Sequence, residues 1–189
     1  MRVIAGEYRS RLLTSPRGMA TRPTSDRLRE TLFNVLGTQV AGAAFADLYA
    51  GSGAAGIEAL SRGAARVVFV ENAAPAVAAI RANLAALGIE AGATIDARRV
   101  TTWLRAAEGA FRFVFLDPPY ELASEYATAL QLLGGEAHRL LDEQPVVIAE
   151  HRRKQPLAEA YGLLRRYRVL EQGDAALSFF SLDAIGAEP

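Results

Sequence analysis

Apolar and polar positions along this chain follow two different periods. Leu28, Leu32, Val35 and Leu36 recur at helical spacing, which predicts a helix over residues 24–36 with one apolar face. Thr24 or Ser25 can cap its start, Asp26 sits in its first turn and Gly37 follows its end. Residues 1–23, ahead of it, read as an irregular strand-forming arm. Its short apolar pieces, Val3-Ile4-Ala5 and Leu12-Leu13, are separated by Gly6, Pro16, Gly18 and Pro23. From residue 44 strands and helices take turns. Strands are predicted at 45–49, 66–71, 93–97, 111–117 and 145–150. Helices are predicted at 54–61, 75–87, around Trp103 and at 121–133. This order implies a parallel sheet with helices on both faces and right-handed crossovers. Two late strands, about 163–171 and 176–182, flank Gly173-Asp174 as an antiparallel hairpin.

Composition narrows the class. With 189 residues, 51% of them hydrophobic and 22% charged, the chain can bury a core of its own and is not a disordered segment. It has no apolar run long enough to span a membrane, and its N-terminus lacks the apolar core of a signal peptide. The absence of cysteine excludes disulfides, thiolate metal sites and cysteine nucleophiles. His138 and His151 are too few for a histidine metal cluster, so no metal is expected. A soluble cytoplasmic protein is the expectation.

The formal net charge of +0 argues at first against a polyanionic partner. Its distribution reverses that argument. Residues 1–30 carry seven Arg against three acids, and residues 152–168 carry Arg152, Arg153, Lys154, Arg165, Arg166 and Arg168 against Glu159 alone. Two basic blocks on a neutral chain can form one basic face.

Asp47-Leu48-Tyr49-Ala50-Gly51-Ser52-Gly53-Ala54-Ala55-Gly56 sits where a strand gives way to a helix. Gly51 and Gly53 permit a tight turn and close approach of a ligand. Glu71, at the end of the next strand, is placed to accept hydrogen bonds from ribose hydroxyls. Asp47 would repel a pyrophosphate and favour a cationic sulfonium and amino group, which points to S-adenosylmethionine rather than NAD. Its plainer alternative is a residue that orients loop amides.

Phe113-Val114-Phe115-Leu116-Asp117-Pro118-Pro119-Tyr120 is an apolar strand with a stiff polar tip. The prolines fix the backbone and remove two donors, so a carbonyl of the turn and the Asp117 carboxylate face the cleft as acceptors. Tyr120 offers a ring for stacking. The set suits an exocyclic amine on an extruded planar base.

Together these motifs resemble class I S-adenosylmethionine-dependent amino-methyltransferases acting on nucleic-acid bases. The N-terminal stretches Arg2-Val3-Ile4-Ala5-Gly6 and Arg22-Pro23-Thr24-Ser25-Asp26-Arg27-Leu28-Arg29-Glu30-Thr31-Leu32-Phe33-Asn34 sharpen the likeness to the bacterial RsmD family. Asp47 to Gly53 and Glu58 to Ala64 also fit that family's pattern. The resemblance implies methyl transfer to N2 of a guanine in small-subunit (16S) ribosomal RNA. It implies a Rossmann-like α/β fold with a mostly parallel seven-stranded sheet, a C-terminal antiparallel hairpin and a small N-terminal β-hairpin and helix. Residues 1–37 would be an RNA-contacting extension, and 38–189 the S-adenosylmethionine-binding domain.

By the same resemblance Asp47, Gly51 and Gly53 would hold the methionine end of the cofactor, Glu71 its ribose and Asn72 its adenine region. Asp117, the Pro118 carbonyl and Tyr120 would hold the target guanine, and Arg22, Thr24, Arg27 and Arg29 would touch RNA. The partner would be small-subunit ribosomal RNA or the small ribosomal subunit, the enzyme a monomer. Arg98-Arg99 stands where the family often has a polar or acidic residue near the adenine. Adenine-N6 or another amino-methylation on DNA or RNA, a nicotinamide oxidoreductase and a non-catalytic RNA-binding module are the rival readings. The oxidoreductase leaves Asp117 to Tyr120 unexplained, and the binding module leaves both turns idle.

Overall fold

A computed structural model describes residues 1–16, 26–119 and 122–182. The five central strands are β1 (Ala44–Leu48), β2 (Arg66–Val70), β3 (Ala93–Asp96), β4 (Phe111–Leu116) and β5 (Leu141–Arg152). Three further strands, β6 (Ala160–Tyr161), β7 (Leu164–Gln172) and β8 (Ala175–Leu182), complete one eight-stranded sheet of order β3-β2-β1-β4-β5-β8-β7-β6. The pairs among β1 to β5 are parallel, and β8 lies antiparallel between β5 and β7. Helices α1 (Asp26–Leu36), α2 (Ala54–Ser61), α3 (Ala74–Leu87), α4 (Val100–Ala106) and α5 (Ala123–Leu133) cover both faces. None of the described helices is long and apolar enough to cross a membrane.

Successive residues of the inner strands feed two separate cores. Phe45, Phe113, Phe115 and Ile148 pack with the arm, α1, α2 and α3. Ala46, Val114, Leu116 and Val147 pack with α4 and α5. Burial of both faces is why these strands are nearly continuous apolar runs. Gly56 lets α2 lie close to the sheet, since a Cβ there would fall 2.3 Å from the Phe69 ring and 2.8 Å from Val67.

The alternation of strands and helices, the parallel sheet and the late hairpin are as the sequence pattern predicts. Gly173, with φ +62°, begins the two-residue turn of that hairpin. The strand count differs by one. The two-residue β6, folded onto β7 across Gly162, is too short to show a period. Strand β5 also starts earlier than expected, and Pro145 lies where its pairing with β4 shifts register, a place a residue without an N–H can occupy.

The expected N-terminal β-hairpin is short: Arg2 and Leu12 form an antiparallel bridge, flanked by bonds from the Val3 amide to the Arg11 carbonyl at 3.0 Å and from the Leu13 amide to the Met1 carbonyl at 3.1 Å. Helix α2 also holds the arm. The Glu58 carboxylate accepts the amides of Ile4 at 2.7 Å and Ala5 at 3.0 Å. Ser61 Oγ accepts the Tyr8 amide and donates to the Ala5 carbonyl. Val3, Leu13, Leu28 and Phe33 share one core with Phe45 and Ile57, so the described part of the first 37 residues is packed into the main domain.

Candidate active site

The strand order reverses between β1 and β4, because the chain runs outward from β1 to β3 and then returns to the other side of β1. Open α/β sheets bind ligands in the crevice at such a point, beyond the carboxyl ends of the strands. Here a cavity of about 980 Å³ opens there. Asp47, Gly51, Glu71, Asn72, Asp117, Pro118 and Arg27 all line it. The glycine-rich turn and the Asp-Pro-Pro turn are thus brought to one cleft, though more than 60 residues separate them in sequence.

Pairing registers set the spacing of the acids. Asp47 is level with Phe69 and with Phe115, and Leu116 is level with Ala149. Continuing the registers places Glu71, Asp117 and Glu150 in one row across β2, β4 and β5, with Asp47 on β1 one pleat deeper. Strands lie about 4.8 Å apart. Asp117 is therefore about one strand spacing from Glu150 and two from Glu71.

The turn after β1 is held open by its own backbone. Tyr49, Gly51 and Gly53 have φ of +60°, +56° and +77°. A Cβ at Gly51 would meet nothing nearer than the Tyr49 carbonyl at 4.0 Å, so the space beside it belongs to the cavity. Gly53 lies behind the cavity wall, at the N-cap of α2, where a Cβ would press on Ile80 and Phe69. Tyr49 takes its left-handed conformation with its hydroxyl donating to Glu125 at 2.7 Å.

Glu71 is buried and accepts the amides of Gly51 at 3.0 Å and Ala73 at 2.8 Å, one with each oxygen. A carboxylate has about four acceptor sites, so these bonds orient it and leave capacity for a ribose diol. Asp47 accepts the Gly56 amide at 2.8 Å, within the first turn of α2. The amide it orients belongs to the helix rather than to the loop, and Asp47 also lines the cavity. Burial pushes its pKa up to about 8; the Gly56 amide opposes the rise, the neighbouring Glu71 adds to it and Arg29 counters it. A protein carboxyl thus takes the place at the helix start where a pyrophosphate would sit in a dinucleotide site.

Beyond β4, the Asp117 amide reaches the Leu48 carbonyl at 3.4 Å, which ties the two turns together. Asp117 is half-buried. The Pro118 carbonyl accepts from the buried Tyr126 hydroxyl at 3.3 Å, which fixes its direction and leaves its second lone pair for a ligand. Tyr126 is a positioning residue that no local motif announces. Tyr120, Arg22 and Thr24 lie outside the described residues.

Arg29 corrects an expectation. It is fully buried, not an RNA-facing side chain. Its guanidinium donates to the Arg2 carbonyl and to Asp26 at 2.9 Å and lies 3.8 Å from Glu58, so it fastens α1 to the arm and to α2. Trp103 is core, 5.7 Å from Phe111 between ring centres. His151 is buried and bonded to Ser178 at 2.8 Å, and burial lowers its pKa. Both are structural.

Sequence reasoning passed over Glu150 and Asn83, and noted Arg99 only as a departure near the adenine region. Buried Glu150 and exposed Arg99 line the cavity. Asn83 on α3 donates to the Ser52 carbonyl in the glycine-rich turn at 2.9 Å and pairs with both backbone groups of Thr14 in the arm. Residues Met1, Ser15 and Pro16 of that arm form part of the cavity wall. The cavity's charges separate partly by depth, with exposed Asp174 and half-buried Asp117 and Glu125 the lining acids outside the deepest group. Asp47, Glu71 and Glu150 are buried at its floor, whereas Arg27, Arg99, Arg152 and Lys154 are exposed at its rim. Both basic blocks therefore reach the same opening. Among the described residues no acidic and histidine cluster could hold a metal ion.

The chain as a whole is similar to known proteins. The family model described as "Conserved hypothetical protein 95" matches residues 1–181. YlbH of Bacillus subtilis (strain 168) is 39% identical over 165 residues, covering 86% of this chain and 88% of that protein. Ribosomal RNA small subunit methyltransferase D of Escherichia coli (strain K12) is 38% identical over 120 residues, covering 64% of this chain and 60% of that protein. The solved structure of the yhhF protein from Escherichia coli superposes with a TM-score of 0.80 at 30% identity, covering 97% of this chain and 98% of that one. By the family model and by its likeness to YlbH along most of both chains, this chain belongs to the conserved hypothetical protein 95 family, the RsmD family.

Proposed function

We propose that this chain methylates the exocyclic N2 amine of a guanine in small-subunit (16S) ribosomal RNA, with S-adenosylmethionine as donor and direct in-line transfer. The observation that carries the reading is the meeting of the glycine-rich turn, Glu71, Asp117 and Pro118 in one cleft. The relative named ribosomal RNA small subunit methyltransferase D supports the substrate class.

The residues fit an adenosine-bearing cation. The open space at Gly51 admits the backbone approach of a ligand, and the fixed Glu71 carboxylate matches a ribose diol. Asn72, exposed at the cavity, flanks the adenine side. Gly53 shapes the turn, and Asp47 faces the ammonium end. S-adenosylmethionine, when bound, supplies an electrophilic methyl on a sulfonium. Asp117 and the Pro118 carbonyl accept the two N–H groups of the target amine and orient its lone pair, with Tyr120 stacking on the base. Holding two reactants in line contributes up to about 7–11 kcal/mol in well-oriented systems. The same acceptors stabilise positive charge growing on the nitrogen. Arg22, Thr24, Arg27 and the rim cations hold the RNA backbone.

The nicotinamide reading is disfavoured because the Asp47 carboxyl occupies the start of α2. Incubation with labelled S-adenosylmethionine and subunits lacking the modification, followed by mapping of the labelled base, tests the proposal. Label on guanine N2 is expected. Label on adenine, or on protein alone, refutes it.

Two outcomes follow from the electrostatics. Because the folded protein holds the Asp47 proton more tightly than the unfolded chain, its unliganded stability falls as pH rises from about 4 to about 8. A cationic ligand draws the pKa down, so cofactor affinity rises with pH, by at most about tenfold per unit, and levels off near 8. Calorimetric titration across pH 6–9 checks this, and Asp47→Asn should abolish the slope. At the rim, replacing Arg152 and Lys154 together by Gln should lessen the slope of log RNA affinity against log salt by roughly 1.5, without changing cofactor affinity. Filter binding over a salt series reads it.

A further inference from the structure

We infer that Glu150 is the residue that selects guanine over adenine, by accepting the ring N1–H of the target base; this rests on the guanine-N2 reading above. Glu150 is 4% exposed and lines the cavity. The proposed methyl transfer assigns Glu150 no other part, since Asp47 and Glu71 serve the cofactor while Asp117 and Pro118 serve the amine.

Its place in the row of acids suits it to the base instead. Leu116 is level with Ala149, so continuing the register makes Asp117, just past β4, the lateral neighbour of Glu150 on β5, at about one strand spacing of 4.8 Å. Glu71 lies on the opposite side of Asp117, beyond β1. With the ribose at Glu71 and the amine at Asp117, the base extends away from the cofactor, toward Glu150. The ring atom adjoining the N2 amine on guanine's Watson–Crick edge is N1, which carries a proton. On adenine the atom adjoining N6 is also N1, but there it is a bare acceptor. A carboxylate beside the target amine therefore attracts guanine and repels adenine. Sites that hydrogen-bond a substrate group reject analogues lacking it far more strongly than apolar pockets do.

The distinguishing substrate is 2,6-diaminopurine, which keeps the N2 amine and has no proton on N1. Small subunits reconstituted with guanine or 2,6-diaminopurine at the mapped position are methylated by wild-type enzyme and by Glu150→Gln, whose amide can donate to a bare N1. Wild type is expected to prefer guanine by about 100-fold or more in kcat/KM. In Glu150→Gln that preference should shrink below about tenfold, with calorimetric cofactor affinity within about twofold of wild type. Equal use of the two bases by wild type overturns the inference without any variant, as does a folded Glu150→Gln that keeps the wild-type preference. Wild-type label on adenine N6 overturns the guanine reading and this inference with it. Label on guanine N2 combined with indifference to N1 overturns this inference alone.

Discussion

With Asp117 replaced by Ala, methyl transfer is expected to fall by about 10²–10³-fold, the usual loss for one preorganised group facing developing charge. The side chain lies on the ligand side of a turn whose backbone is fixed separately, by the prolines and by the Asp117 amide on Leu48. Removing the carboxylate therefore leaves the turn in place. Cofactor affinity should stay within about twofold, because Asp117 is about two strand spacings from Glu71. Asp117→Asn keeps one acceptor oxygen and should lose less. Single-turnover rates, with cofactor binding measured in parallel, check this. A variant that methylates at the wild-type rate would remove Asp117 from the site.

The largest effect on stability is expected at Glu58. It is fully buried, accepts the Ile4 and Ala5 amides and the Arg62 guanidinium, and lies 3.8 Å from buried Arg29. Glu58→Ala strands two backbone donors and leaves Arg29 without its buried counter-charge. Breaking such a pair costs about 3–5 kcal/mol. For a chain of this size that is a fall in melting temperature of roughly 6–20 °C. The arm should detach first, seen as early hydrogen exchange at residues 3–8. The exposed pair Arg105–Glu136, at 3.1 Å, should matter by less than about 1 kcal/mol when removed. Thermal melts of the two variants side by side test the contrast.

Glycine and proline leave local imprints, which is why the turns at 47–53 and 117–119 are legible in the sequence itself. The strands and helices between them are legible because their apolar periods differ. What the sequence hides depends on partners far along the chain. Glu58 meets Ile4 across 54 positions and Asn83 meets Thr14 across 69. Arg29 sits in a basic block and so reads as surface; only the arrival of Glu58 and of the Arg2 carbonyl makes its burial tolerable. A signal for Glu150 does exist. Asp47, Glu71, Asp96, Asp117 and Glu150 put one acid at the carboxyl end of each parallel strand, but β5 has to be aligned with β4 before the fifth can be recognised.

The layering of charge in the cleft has a consequence for the shape of anything that enters it. Under the proposed reading, the rim cations would hold phosphates at the mouth, and the buried acids would turn them back from the floor. Only the uncharged part of a nucleotide would descend. The cleft would then work as a ruler, admitting one base on the tether of its own sugar and stopping the strand that carries it. A chain of zero net charge can do this because three of the acids lining its cleft lie deeper than the four cations at its rim.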